Sequence, residues 1–588
     1  MISLVTALLL ASTAAVKSSP TPVASTFAGA TSSAIWPPPG AASLAEAEAS
    51  FFPDATQIDV FGPTPTGDEA FAIETAPSSP DFADVFPLVE PATADQKSFD
   101  VLHSWGNLGP FQSSSLGLKS SPKVPEGCSL TQVHLLHRHG ARYPTSGSAP
   151  ASFAAALHNA AANGTVKANG PLAFLNTWNY KLGAEILTPF GREQLFELGT
   201  GFRVKYGDLL KGFTKFPVWR TTSEERMVDS ALHFAAGFFG VQAYQTDYNQ
   251  LIDIETPGFN CTSCNVIVDI SRRVLISFSR LLIILYTDTY SSATLAPYDM
   301  CPNSVNTVAA IGAPLLAQWQ DIYLKEAQDR LNKDFESSTG LTLNTTWLYA
   351  MQQLCAYETV ALGYSSFCDL FTEAEWEGFE YSVDLSFWYD NGPGNPAVAA
   401  QGVGWVQELT ARLTQSRASL SPSLASTINQ TIVQSNITFP LDQPIYVDAT
   451  HDTVISTIVV AMNFTSMTTT GPLPATHIPT DRSYKVNQIS PFAANLVGQV
   501  LSCPAQATST APTHIRWLLN DATVPLTGID GCPFSEDGLC PFDTFVSGMQ
   551  KRIQEIDFEF GCFGNMTGVT AGDLITGQLP ASQLPTRR

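Results

Sequence analysis

Three apolar runs in this chain each end in charged side chains, before or at the start of a helical pattern. Val133-His134-Leu135-Leu136 runs into Arg138-His139. Phe216-Pro217-Val218-Trp219-Arg220 is followed by Ser223-Glu224-Glu225-Arg226. Pro444-Ile445-Tyr446-Val447-Asp448 leads to His451-Asp452. The runs have the length and composition of buried strands. After Ser223 the acids fall in a first helical turn, and Val228, Ala231, Leu232 and Ala235 give that helix one apolar face. Val454–Met462 reads as the helix after Asp452. In open α/β sheets the carboxyl ends of the strands converge on one crevice. The three charged groups are therefore expected in one site, although 312 residues separate His139 from His451.

The first group carries the most chemistry: Arg138-His139-Gly140-Ala141-Arg142-Tyr143-Pro144-Thr145. Two guanidiniums beside one imidazole make a poor core and a good anion site. Arginine offers a rigid fork of donors that matches phosphate oxygens. Gly140 is expected to let the backbone turn sharply behind the histidine. The formal net charge of −23 and the lack of a basic tract argue against general nucleic-acid binding. An acidic molecule also repels phosphate at long range, so a phosphate site needs local positive charge, which this octapeptide supplies.

Arg138, His139, Gly140, Arg142 and Pro144 match the RHGxRxP motif of the histidine acid phosphatases, which include the phytases. His451-Asp452 resembles their late HD motif. The resemblance continues through Cys355-Ala-Tyr-Glu-Thr-Val-Ala-Leu-Gly-Tyr, Glu375-Trp-Glu-Gly and Gln401-Gly-Val-Gly-Trp, and covers most of residues 98–565. It implies a large α/β domain, a mixed sheet flanked by helices in the phosphoglycerate mutase manner, with a smaller, mostly helical domain. It also implies roles. His139 attacks phosphorus and becomes a phosphohistidine; Arg138, Arg142 and Arg226 grip the phosphoryl oxygens; His451 adds a donor. Asp452 protonates the leaving alkoxide and then helps water attack. No metal and no other cofactor is implied. Arg220 is the rival to Arg226, since it also ends a strand. His134 and His137 read as core histidines of the first strand.

The expected activity is hydrolysis of small-molecule phosphomonoesters. Many phytases have Asn after the HD pair, and Thr453 here favours a broad acid phosphatase able to act on inositol phosphates. The alternatives are a phosphomutase of the wider superfamily and a non-catalytic secreted glycoprotein on the same fold.

Around this domain, residues 1–15 read as a signal peptide and 16–97, rich in Pro, Ala, Ser and Thr, as a disordered pro-region or stalk. Helical periodicity dominates about 303–420, the expected helical subdomain. Residues 265–294 interrupt the resemblance. Ser271 to Tyr286 is apolar but too short to span a membrane, and Arg280 breaks it. This stretch is either an insert from an unspliced intron or a surface hairpin. Ten cysteines suit disulfides in an oxidising, extracellular setting. Cys261 and Cys264 have zinc-like spacing but no second pair. The family resemblance implies Cys128–Cys503, Cys301–Cys562, Cys355–Cys368 and Cys532–Cys540, leaving Cys261–Cys264. Asn-x-Ser/Thr sites at Asn163, Asn260, Asn344, Asn429, Asn436, Asn463 and Asn565 are expected on the surface as glycan sites.

Overall fold

The computed structural model describes residues 99–255, 275–278, 281–284, 292–305, 311–421, 425, 427–503, 511–566 and 574–580. The signal peptide and pro-region, Cys261 and Cys264, Asn260 and most of the insert lie outside these residues.

The strands are β1 (Ser129–Arg138), β2 (Val166–Ala168), β3 (Val218–Thr222), β4 (Asn249–Asp253), β5 (Leu275–Phe278), β6 (Leu281–Ile284), β7 (Phe335–Ser337), β8 (Ile445–Thr450), β9 (Asn495–Ser502), β10 (His514–Leu519), β11 (Ala522–Val524) and β12 (Cys540–Pro541). Ten of them form one mixed sheet, in the order β11-β10-β9-β1-β8-β3-β4-β6-β5 with β12 beside β10. β2 and β7 form a separate ribbon. The centre of the sheet, β1, β8, β3 and β4, is parallel, and β9 runs antiparallel on the other side of β1. Parallel strands are covered on both faces, which is why these runs are almost continuously apolar. Within the insert, β5 and β6 form an antiparallel pair added to that edge of the sheet.

The longer helices are α1 (Ala149–Asn163), α2 (Pro189–Tyr206), α3 (Glu225–Phe239), α4 (Gly312–Tyr323), α5 (Thr345–Leu362), α6 (Glu373–Asp390), α7 (Val398–Thr414), α8 (Asp452–Ala461) and α9 (Phe542–Glu555). The side chains of β1 alternate between two faces, as strand geometry requires. Val133 and Leu135 pack with Leu195, Leu198 and Phe202 of α2 and Phe234 and Phe238 of α3. Leu136 packs on the opposite side, in the core that holds α7, α8 and α9. Helices α2 and α3 lie unusually close: a Cβ on Gly199 would sit 2.0 Å from Phe234 O, and one on Gly237 2.0 Å from Phe196 O.

A second core gathers α1, α5 and the first half of α6 around Phe153, Leu348, Leu354, Trp376 and Phe379. The helical run over 303–420 therefore divides between two cores. Helix α7 lies on the sheet, buried on every side except at Thr414. Helical periodicity marks a helix but not which core it joins. Among the described residues no helix is long and apolar enough to cross a membrane.

All four disulfides implied by the resemblance are present, Cys128–Cys503, Cys301–Cys562, Cys355–Cys368 and Cys532–Cys540. The surface expectation for Asn429 is corrected. That side chain is buried, and it caps a helical turn by accepting from Thr431 N and Ile432 N, so it cannot carry a glycan in the fold. Asn163, Asn344, Asn436 and Asn565 are exposed.

Candidate active site

Parallel pairing puts the carboxyl ends of β1, β8, β3 and β4 on one edge. Arg138 lies opposite Thr450 and Thr222 opposite Asp253. The residues just past these ends are His139, His451-Asp452, Glu224 to Arg226, and Glu255.

His139 is buried and pinned by its backbone: its N–H donates to Thr450 O (3.2 Å) and its carbonyl accepts from Ala493 N (3.0 Å). Nδ1 stands 2.8 Å from Gly140 O. A carbonyl only accepts, so Nδ1 carries the proton and Nε2 keeps its lone pair. Burial first, and then the charges of Arg138, Arg226, Arg142 and His451, hold the imidazole well below its ordinary pKa. The ring therefore keeps its neutral form to a lower pH than a free imidazole.

Gly140 matters for a different reason than the expected turn. Its φ is not left-handed; what it permits is close approach. A Cβ there would lie 2.1 Å from Gly191 O, and one on Gly191 would lie 1.9 Å from Ala141 O. The loop is thus pressed onto the head of α2. Gly140 N–H donates to Ser230 Oγ (3.2 Å) and Ala141 N–H to Gln194 Oε1 (2.9 Å).

Three guanidiniums surround the imidazole. Arg138 is fully buried; it donates to Ser490 O (2.9 Å) and Asn107 O, pairs with Asp452 (2.8 Å), and lies over the Phe492 ring at 4.4 Å. Burial pulls it down to about 10, so it stays cationic in any acid medium. Arg142 donates to Tyr143 O (2.9 Å). Arg226, the second residue of α3, pairs through Nη1 with Glu185 (3.0 Å) and through Nη2 with Glu224. The Nε atoms of all three are buried with no acceptor among the described residues. Buried donors in natural proteins nearly always find partners, so unmet donors on three cations close to one imidazole suit an anion.

Arg220, the rival of Arg226, is engaged elsewhere. It donates to both oxygens of Asp448 (2.8 and 3.0 Å) and to Glu408 (2.7 Å), while Arg412 holds the same Asp448. This ion cluster is buried beside the sheet, where it fixes β3 to β8 and α7. His134 and His137 are core histidines, lowered by burial to about 3 and about 4.

Asp452 and His451 sit at the head of α8. The Asp452 carboxylate accepts from Asn107 Nδ2 (2.8 Å) and Thr453 N (2.9 Å) beside Arg138. Burial raises its pKa, but Arg138 and Asn107 outweigh that and bring it to about 2. His451 Nε2 meets Glu255 Oε1 at 3.1 Å, and Tyr298 OH donates to Glu255 Oε2 at 2.6 Å. Burial raises Glu255, yet His451 and the hydrogen bonds prevail and hold it at about 2. The rings of His139 and His451 lie 5.8 Å apart at 70°.

All six residues singled out in the sequence thus lie together past the carboxyl ends of the parallel strands. Asn107, Glu185, Glu255 and Tyr298 were not singled out. Glu255 follows β4, so the strand-end rule would have reached it had Asn249–Asp253 been read as a strand. Asn107, 345 residues from Asp452, leaves no such signal. Among the described residues, Glu224, Glu255 and His451 bring three possible ligand atoms within 4.8 Å of one another. Glu224 and Glu255 already serve Arg226 and His451 as counter-ions.

Comparison with known proteins agrees with this geometry. Residues 129–520 match the family model of the histidine phosphatase superfamily, branch 2. Phytase A of Aspergillus awamori is 30% identical over 79% of this chain and 93% of the relative. A Phytase A of Aspergillus terreus is 32% identical over 76% and 88%. Among solved structures, the phytase from D. castellii superposes with a TM-score of 0.58 at 22% identity, over 80% of this chain and 91% of that one.

Proposed function

Because this chain belongs to branch 2 of the histidine phosphatase superfamily, we propose that it hydrolyses phosphomonoesters through a phosphohistidine formed on His139, with Asp452 as the proton donor. The observation that carries this reading is the unprotonated Nε2 of His139 among three guanidiniums whose Nε atoms lack acceptors. The phosphoryl oxygens take those donors, and His451 supplies another. The Nε2 lone pair attacks phosphorus as the P–O bond to the leaving group breaks. The departing oxygen takes that bond's electron pair and a proton from Asp452. Water then attacks the phosphoenzyme. Asp452, now a carboxylate, accepts the water's proton, and the P–N bond returns its pair to Nε2. The arginines spread the charge that builds on the equatorial oxygens.

Substrates in this reading are small phosphomonoesters. Phytate is among them because the relatives are named phytases, and the three glutamates around the site favour esters less charged than a hexaphosphate. Secretion is part of the same proposal and is supported by the four disulfides, which persist in oxidising compartments. His139→Ala is expected to abolish phosphate release from both phytate and an aryl phosphate while leaving the thermal transition in place. Unchanged turnover would refute the nucleophile.

A further inference from the structure

Arg226 is not presented to a ligand as a bare cation. Glu185 pairs with Nη1 and Glu224 with Nη2, while the buried Nε has no acceptor among the described residues. The two carboxylates differ in freedom. The Glu185 side chain is 8% exposed and is tied by a second bond, from Ser146 N to Oε1 (2.8 Å). The Glu224 side chain is 25% exposed and stands at the head of α3 without capping the helix. Its Oε2 meets Arg226 Nη2 and stands 3.9 Å from His451 Nε2, with no capping bond to the backbone to hold it.

We propose that Glu224 is a specificity-determining residue, a built-in competitor of the substrate's phosphoryl group for Arg226 that must leave or be neutralised before the phosphate is fully gripped. The proposal rests on the phosphatase reading and adds a regulation of the same site. A phosphate oxygen and the Glu224 carboxylate carry like charge and approach the same Nη2 edge of Arg226, so each weakens the other's hold there. Protonation of Glu224 removes its charge and weakens its hold.

The groups facing Glu224 set when that occurs. They are Arg226 on α3, His451 at the head of α8 (3.9 Å), Glu255 after β4, Glu185 before α2, and Tyr298 beside Glu255. Burial and the charge of Glu255 raise the Glu224 pKa, against the pull of Arg226 and His451. A raised carboxyl keeps its proton to a higher pH than a free one and ionises as pH rises further. Competition therefore grows toward neutrality, and the enzyme binds phosphate better in acid for a reason separate from the chemistry of His139.

The test uses the full chain with inorganic phosphate as probe. Binding is measured by calorimetry, and competitive inhibition of aryl phosphate hydrolysis is measured alongside, between about pH 4 and about pH 7. With Glu224→Gln, the ratio of wild-type to variant dissociation constant is expected near one at the acid end. It should climb to about tenfold at the neutral end. Glu224→Ser should behave like the Gln variant, and Glu224→Asp like wild type. A ratio flat at one, or variants that bind phosphate more weakly at every pH, overturns the proposal. Calorimetry needs no turnover. A protein with this binding pattern but no hydrolysis would sink the phosphatase reading alone, and active variants with no pH-dependent ratio would sink the competitor alone.

Discussion

Asp452 is asked for two things that conflict in the free protein. A proton donor must hold a proton, yet Arg138 and Asn107 keep this carboxyl ionised down to about pH 2. In the proposed mechanism the substrate resolves the conflict. A phosphomonoester with a second pKa near ~6 arrives in acid carrying a proton, and its oxygens draw Arg138 away from Asp452. The carboxyl then rises and takes the proton it later delivers. Asp452→Asn should accordingly cost about 10²–10⁴-fold in kcat with an alkyl phosphate and far less with an aryl phosphate whose leaving group needs no proton; equal losses on both would count against the role. Because His139 is held well below the ordinary imidazole range, the acid limb of kcat/KM should fall below that range, as a pH profile would register. The two arginines near the end of β3 make a second contrast. Arg226→Ala should raise KM, and because it leaves Glu185 and Glu224 short of a partner at a less enclosed site, it should lower the melting temperature less than Arg220→Ala. Arg220→Ala leaves Asp448 and Glu408 short of a partner inside the protein and should cost about 3–5 kcal/mol in denaturant unfolding. The sequence names both arginines but not their destinations. Arg220 is a strand residue whose side chain is committed to one face of the sheet, while Arg226 has passed into the helix that rims the crevice.

At the scale of elements, the close fit of the loop after β1 against the head of α2 sets the site's geometry. Gly191→Ala would drive a methyl into the Ala141 carbonyl, which is backbone and cannot step aside. Displacing Arg138 to Arg142 by about 1 Å is enough to lower kcat on the order of 10²-fold, and the loss should fall on phytate and aryl phosphate alike. The head of α2 was legible beforehand: Thr188 accepts from Gly191 N at 3.0 Å and Pro189 follows it. So were β1, β3 and β8 as apolar runs. The close approach at Gly140 was not legible, because a glycine that serves a sharp turn and one that serves close approach look alike in one dimension. The assignment of α7 to the sheet escaped for a similar reason, since its burial is decided by partners far off in the chain.

For the whole molecule, the longest constraint is Cys128–Cys503, which joins the start of β1 to the end of β9 across 375 residues; Cys532–Cys540 closes a loop of 8. Paired Ser replacements at Cys128 and Cys503 should lower stability by about 2–5 kcal/mol, more than those at Cys532 and Cys540, as compared by thermal or denaturant melts. The pairing of β1 with β8 carries a further consequence. The proposed nucleophile and acid lie far apart in the chain, and the strand that leads to His139 has no parallel neighbour on the β8 side until Thr450 has been polymerised. A ribosome stalled short of that codon holds a chain with its histidine but no catalyst. Activity during synthesis therefore arrives in one step, late, rather than growing as the polypeptide lengthens.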